Sequence, residues 1–354
     1  MGEPSITERL QRRQPRVHLS IGPVCNNNCV FCMEEDRDGR YVNNSAMTFE
    51  RVRWILEQQR GAEEACFTSG EPTLREDLPQ MLSMARQLGY PKLSIMTNGR
   101  RLSHLPYAAA LVKAGLNRVY ISVHGHTQKL HEGLTRTPQS FAQTVAGIES
   151  AAKLRRYGVE LHTSTVLTDR NLPHLLEIYR FLRGLGVEQV VFNVMQANGR
   201  ADTYFDQIFP SYTEIAQEFR RFLAAVGEAR PQAFLVDIPL CATEGIPDFN
   251  RGFVEKYEHY DLLTETKLPG LDLEVRAPKE GKGKGLVLVA RDDLDQALRT
   301  KRAECASCRY DASCEGVWSN YTRRKGWVEF APIPRDQGSS SSHTGGLSCP
   351  SVES

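Results

Sequence analysis

Val24-Cys25-Asn26-Asn27-Asn28-Cys29-Val30-Phe31-Cys32 follows directly on the first apolar run of the chain, Val17-His18-Leu19-Ser20-Ile21. The cysteines are spaced C-x3-C-x2-C. Three thiolates this close in sequence can converge on one face of an iron–sulfur cubane. They supply no fourth ligand, so one iron is left open to bind a further molecule. A zinc site more often brings two pairs of ligands from separate places, and a zinc loop stands as the alternative. The odd number and tight spacing of the thiols do not suit disulfides.

Working outward from this loop, apolar β-type runs alternate with helical patterns. Strands are expected over 17–21, 65–68, 93–96, 118–123, 159–166 and 189–194. Helices are expected over 48–60, with Thr48 as N-cap, and over 78–88, 107–114, 140–157, 173–185 and 213–229. Six β/α units in a row imply an α/β fold. Its sheet is parallel and wound right-handed, with the functional side at the strand C-termini. On the pattern alone this is a six-unit partial (β/α)6 barrel or a six-unit open sheet.

After Pro231 the alternation stops. Leu271–Val275 and Leu286–Val289 flank Gly281-Lys282-Gly283-Lys284-Gly285 and read as a β-hairpin. A short helix is expected from Asp293 to Lys301. From Gln337 onward Ser and Gly dominate, as in a disordered tail. The expected organisation is an extension over 1–16, a partial barrel over 17–230, a smaller domain over 231–336 and a tail over 337–354.

Composition narrows the function classes. The chain has 354 residues, enough for a large core, and its net charge of +1 argues against a general nucleic-acid or membrane surface. No apolar run is long enough to cross a bilayer, and the segment from Met1 to Arg16 is polar, without a signal-peptide core. A cytoplasmic protein is expected. In that compartment its nine cysteines read as metal ligands or thiols rather than disulfides.

The C-x3-C-x-aromatic-C run, with Phe31 as its aromatic residue, resembles the signature of the radical S-adenosylmethionine (radical SAM) enzymes. The resemblance implies the six-unit partial barrel. It also implies a [4Fe–4S] cluster held by Cys25, Cys29 and Cys32, whose open iron chelates the amino and carboxylate groups of SAM. One electron then cleaves SAM to methionine and a 5′-deoxyadenosyl radical, which abstracts a hydrogen from the substrate. An external electron donor of flavodoxin or ferredoxin type follows, as does oxygen sensitivity.

Further matches to the family pattern fall at strand ends. Ser69-Gly70-Glu71-Pro72 resembles the family's Gly-Gly-Glu-Pro element, with Ser69 in place of the first Gly. There the backbone edge and the acid receive the methionyl ammonium. Thr97 and Asn98 lie where family members flank SAM. Ser122 and Arg136 match a serine and an arginine that hold the SAM carboxylate, Arg136 only with one extra residue allowed before it. By position alone, Thr165 and Asn193 are ribose or adenine neighbours or satisfied strand-end polar groups. His124 and His126 are substrate-facing or loop-stabilising. Cys66 is a small buried hydrophobe or a catalytic hydrogen-atom donor.

Cys305-Ala306-Ser307-Cys308 and Cys314 form a second cluster, C-x2-C-x5-C. It resembles the auxiliary-cluster modules of radical SAM proteins, the SPASM and twitch types, although a zinc knuckle has similar spacing. The cysteines left over are Cys66, Cys241 and Cys349. Cys241, at the end of the barrel, is the candidate to complete a four-thiolate auxiliary [4Fe–4S] site. Such a closed site suits electron transfer, structural support or sulfur donation, whereas with three ligands its open iron could hold the substrate.

With residues 1–16 alone before the first strand, no N-terminal peptide-recognition domain is expected, which favours a small-molecule substrate. Lys282, Lys284 and Arg323-Arg324-Lys325 suggest a nucleotide-sugar-like or other anionic intermediate, or simply a solvated face. The alternatives are a maturase of a ribosomally made peptide and a non-enzymatic iron–sulfur or zinc protein.

Overall fold

The computed structural model describes residues 16–33 (except 23), 48–250 (except 197–198, 229–230 and 247–248), the strands 258–264 and 286–290, and 299–335 (except 312–313 and 315). Seven strands lie side by side in parallel: β1 (Arg16–Ser20), β2 (Glu64–Thr68), β3 (Lys92–Thr97), β4 (Arg118–Ser122), β5 (Glu160–Leu167), β6 (Gln189–Val194) and β7 (Ala233–Val236). Consecutive strands are neighbours throughout, and helices connect them, as parallel pairing requires. The result is an α/β half-barrel.

The six expected strands all form, and Gln189–Val194 matches at both ends. The helices of eight or more residues are α1 (Phe49–Gln58), α2 (Leu78–Gln87), α3 (Leu105–Ala114), α4 (Gln128–Thr135), α5 (Ser140–Leu154), α6 (Leu175–Gly184) and α7 (Tyr212–Val226). Thr48 caps α1 by accepting from the Arg51 N–H. Ser211 and Glu214 form a reciprocal capping box at the start of α7.

The alternation does not stop at Pro231, because Ala233–Val236 adds a seventh parallel strand beside β6. On the other edge β8 (Glu258–Thr264) pairs parallel with β1, and β9 (Leu286–Ala290) pairs antiparallel with β8. The expected strand at 286–289 therefore forms, but its partner is 258–264. The expected partner, 271–275, lies outside the described residues. So does most of the short helix expected over 293–301, and its end is extended: β10 (Arg299–Thr300) pairs antiparallel with β11 (Val317–Trp318).

The register sorts the side chains into two faces. Val190, Phe192 and Val194 share one face with Thr165, Ile121, Phe67 and Leu19, and Phe192 packs edge-on to Phe219 and Phe222 of α7. That face is the core between sheet and helices. The opposite face lines the concave lumen. It carries Arg16, Glu64, Lys92, Arg118 and Glu160 at the N-terminal end, then Cys66, Ser94, Tyr120 and His162, then Ser122, Ser164 and Asn193 nearer the C-terminal rim.

Charges at the N-terminal end of the lumen compensate one another. Glu64 is paired with Arg118 at 2.6 Å and Arg16 at 2.9 Å, and accepts from Ser94 Oγ at 2.6 Å. Arg118 also meets Glu160 at 2.5 Å, and Lys92 lies 3.4 Å from Glu160. Tyr120 Oη accepts from Arg16 and Arg118. A buried carboxylate is tolerable only with such partners.

The C-terminal segment is fixed to the barrel by aromatic packing. Tyr321, on α8 (Ser319–Lys325), packs edge-on against Phe205, Tyr212 and Phe330 and tilted against Phe209. Glu329 accepts from the Thr213 N–H at 2.9 Å and from the Tyr321 hydroxyl.

Gly147 of α5 lies directly over the end of β3: a Cβ there would stand 2.1 Å from the Gly99 carbonyl oxygen. Helix and loop approach this closely only because residue 147 lacks a side chain. Gly147→Ala is expected to lower the unfolding free energy by about 1–3 kcal/mol through overpacking, measured by urea denaturation. An unchanged midpoint would show that the helix moves away at no cost.

Candidate functional site

The cysteine loop leaves β1 at the C-terminal rim, and neighbouring rim segments hold it by its backbone. Asn28 N donates to Thr135 O at 3.0 Å and Val30 N to Leu134 O at 3.0 Å, both at the end of α4. Arg100 donates to Asn26 O at 2.5 Å and Asn27 Oδ1 at 3.1 Å. Arg200 donates to Asn28 Oδ1 at 2.6 Å and Cys29 O at 2.9 Å. Cys25, Cys29 and Cys32 are half-buried, and none of the described cysteines is in a disulfide. The Asn27 N–H points at Cys25 Sγ, 3.4 Å away. Among the described residues no three Cys, His, Asp or Glu side chains converge as ligands of one ion. The fit to a cluster therefore rests on donor chemistry: three thiols on a short loop, one of them already accepting a backbone N–H.

Phe31 is buried against His124, with ring centroids 4.5 Å apart, and His124 stacks on His131. His124 Nδ1 accepts from the Val166 N–H, and His131 Nδ1 accepts from the His124 N–H. His124 is thus loop-stabilising, and burial holds its imidazole neutral, well below the usual histidine range.

Glu71 organises the ends of β2 and β3. Its Oε1 accepts from Thr73 N (3.1 Å), Thr73 Oγ1 (2.5 Å) and Thr97 Oγ1 (2.5 Å), and its Oε2 accepts from Asn98 N (2.6 Å). Burial pushes this carboxyl upward, and the donors pull it back. The carboxylate thus ties together the loops of Pro72–Thr73 and Thr97–Asn98. Asn98 extends the tie, donating from Nδ2 to Asn26 Oδ1 at 2.6 Å on the cysteine loop. Ser69 and Gly70 both adopt positive φ, +73° and +55°. The serine thus holds a left-handed conformation that glycine takes without strain.

The remaining expected residues divide. Ser122 and Asn193 lie on lumen-facing positions of β4 and β6, both half-buried. Arg136 is exposed at the end of α4, beside Thr135 and Thr137, which hold the cysteine loop; its guanidinium lies 3.5 Å from Tyr204 Oη. Thr165 shares the helix-facing side with Phe192, is fully buried, and donates to Val123 O at 2.6 Å. Of its two readings, the satisfied strand-end group is the one this geometry supports. Cys66 faces the lumen side between His18 and Ser94 but is completely covered. Burial, then Glu64, pushes its thiol up to about 12, so it carries its proton at neutral pH. Arg100, Arg200 and Gly147 were missed because they act through distant backbone, which no local motif reports.

At the other cysteine group, Cys305 and Cys308 lie in and just after a short 3-10 turn, and Gly316 N–H points at Cys314 Sγ at 3.3 Å. Cys241 stands in the 3-10 turn Leu240–Ala242 after β7. Burial, and then proximity to Cys314, Cys308 and Cys305, pushes the Cys241 thiol up to about 12. The fold therefore brings Cys241 near the other three thiols. Cys349 lies outside the described residues. Arg324 pairs with Asp202 at 2.6 Å, and Arg323 bonds within its own helix, so this basic run has protein partners.

The fold is thus an α/β half-barrel that carries a three-cysteine loop on the C-terminal rim of its sheet. Residues 19–182, somewhat under half of the chain, match the model of the Radical SAM superfamily. A probable GTP 3′,8-cyclase of Saccharolobus islandicus is 29% identical over 187 residues, covering 52% of this chain and 58% of that protein. One of Sulfolobus acidocaldarius is 29% identical over 177 residues, covering 49% and 54%. The chain thus spans a little over half the length of these curated relatives. SuiB of Streptococcus suis, solved with precursor peptide SuiA, aligns with a TM-score of 0.51 at 16% identity, over 63% of this chain and 49% of that one. That likeness is one of fold.

Relieving the left-handed serine should help stability: Ser69→Gly is expected to gain up to about 1 kcal/mol in urea denaturation and to keep SAM binding. Lost SAM binding would mean that the serine side chain itself takes part. A second expectation concerns pH. Burial lowers His131 and His162 to about 4. Because their folded-state values are depressed, their contribution is present above the unfolded value near 6.5 and is lost as pH falls toward 4. Between pH 7 and pH 5 each should cost about 1–2 kcal/mol of stability. His162→Phe should lose correspondingly less over that interval, and an identical loss would refute the assignment.

Proposed function

We propose that this chain is a radical SAM enzyme acting on a small polar metabolite, with a second iron–sulfur cluster in its C-terminal segment. The observation that carries the reading is the cysteine loop bound by Arg100, Arg200 and Asn98 to strand ends that Glu71 clamps, directly above a polar lumen. Cys25, Cys29 and Cys32 would hold a [4Fe–4S] cluster, and the resident cluster would supply the electron that cleaves SAM. The family as such implies the cluster and SAM; the residue roles are our assignment.

Each residue has a physical task. Ser69, Gly70 and Pro72 present a backbone edge to the methionyl end of SAM. Glu71 acts by fixing Thr97 and Asn98 beside that edge, since four donors already occupy its oxygens. Phe31, buttressed by His124, offers an aromatic wall. Ser122 and Arg136 are placed for the SAM carboxylate, and Asn193 for the nucleoside. The helix-facing Thr165 has no direct contact in this scheme.

The lumen supports a small-molecule substrate. Ser122, Ser164, Asn193 and neutral His162 offer hydrogen bonds, while the cations deeper in are matched by Glu64 and Glu160. Anionic groups of a substrate would be met nearer the rim. The names of the relatives, GTP cyclases, favour a nucleotide-like molecule over a peptide. Cys241, Cys305, Cys308 and Cys314 would hold the auxiliary cluster, and a flavodoxin- or ferredoxin-type partner would deliver electrons.

Anaerobic reconstitution with iron and sulfide tests this. Wild type is expected to bind about eight irons and the Cys25/Cys29/Cys32 triple Ala variant about four. SAM should perturb the electron paramagnetic resonance signal in wild type alone. About four irons in wild type and none in the variant would remove the auxiliary cluster from the account. A signal insensitive to SAM would remove the radical SAM chemistry.

A further inference from the structure

The reading of Cys241, Cys305, Cys308 and Cys314 as one ligand set poses a positioning problem, because Cys241 belongs to the end of the barrel and the others to a separate segment. Asp237 spans that gap. It follows β7 directly and takes a left-handed φ of +60°, unusual for a residue other than glycine. Its Oδ1 accepts from Arg299 at 3.1 Å, and its Oδ2 from Gln196 Nε2 at 3.3 Å. The Asp237 and Arg299 side chains are 15% and 9% exposed.

Arg299 is itself held in place. It is the register partner of Trp318 in the β10–β11 ribbon, and its guanidinium lies over the Trp318 ring, 4.1 Å from the centroid. Trp318 is buried. Gly316 packs so tightly under β10 that a Cβ there would stand 2.4 Å from Thr300 O. One carboxylate therefore joins the end of β6, the turn bearing Cys241, and the ribbon that brackets Cys305, Cys308 and Cys314.

We infer that Asp237 is the positioning residue of the second cluster: its ion pair with Arg299 sets where the Cys241 thiol meets the other three. An exposed pair would contribute little. Here both charges are largely out of water, so removing the carboxylate takes a desolvated acceptor from the Arg299 guanidinium and loosens this tie between barrel and ribbon. Non-glycine residues in left-handed backbone persist where the surroundings over-determine them, which fits a residue held for its carboxylate. The inference rests on the four cysteines being cluster ligands.

The test uses the full-length reconstituted protein with Asp237→Ala, Asp237→Asn and Cys241→Ser. Asparagine tolerates the left-handed conformation and keeps an acceptor but loses the charge. Iron is expected to fall from about eight to about four in Asp237→Ala, with the SAM-perturbed signal of the first cluster intact. Asp237→Asn should restore the second cluster, with a shifted midpoint potential and altered resonance signal. Full iron in both variants, with signal and potential of the second cluster unchanged, overturns the inference. Should Asp237→Ala also lose the first cluster's signal, Asp237→Asn decides, because an unchanged potential there overturns the inference as well. About four irons in wild type, unaltered by Cys241→Ser, would instead sink the reading of the cysteines, and the inference with it.

Discussion

A single buried carboxylate, that of Glu71, holds the cofactor side of the half-barrel together. Its oxygens take donors from Thr73, Thr97 and the Asn98 backbone, so the ends of β2 and β3 cannot move independently. Asn98 passes the constraint on through Asn26 to the cysteine loop and through Thr144 to α5. The absence of a side chain at Gly147 lets α5 come close enough to complete the arrangement. An unmet donor in this chain of bonds would be costly, because water does not reach most of it.

Much of the architecture was legible from periodicity. Apolar runs of strand length, separated by helical patterns, implied the six β/α units, and the cysteine spacing located the rim. Ala233–Val236 was missed because four apolar residues just after Pro231 carry no alternation long enough to read. The eight-residue helix Gln128–Thr135 was missed for a similar reason, although Thr127 caps it. Pairing of 286–290 with 258–264 is a long-range choice that hairpin spacing does not report.

The candidate site was legible in residue types more than in roles. Glycine at 70, the acid at 71 and the cysteines could be placed from the motif. That Glu71 spends its acceptors on its own loops depends on where Thr97 and Asn98 arrive from another strand. Thr165 shows how narrow the margin is: one residue either way would have put it in the lumen, and the register puts it beside Phe192 against the helices. Arg100 and Arg200 stabilise the loop from positions that sequence proximity gives no reason to suspect.

The interlocked charges at the N-terminal end of the lumen have an evolutionary consequence. Arg118 answers to both Glu64 and Glu160, Glu64 also to Arg16, and Glu160 also to Lys92. Neutralising any inner member strands a charge on its neighbour, and the effects of two changes do not add. The buried members Glu64, Arg118 and Arg16 should therefore tolerate change only in concert, whereas the more exposed Lys92 and Glu160 are freer to vary.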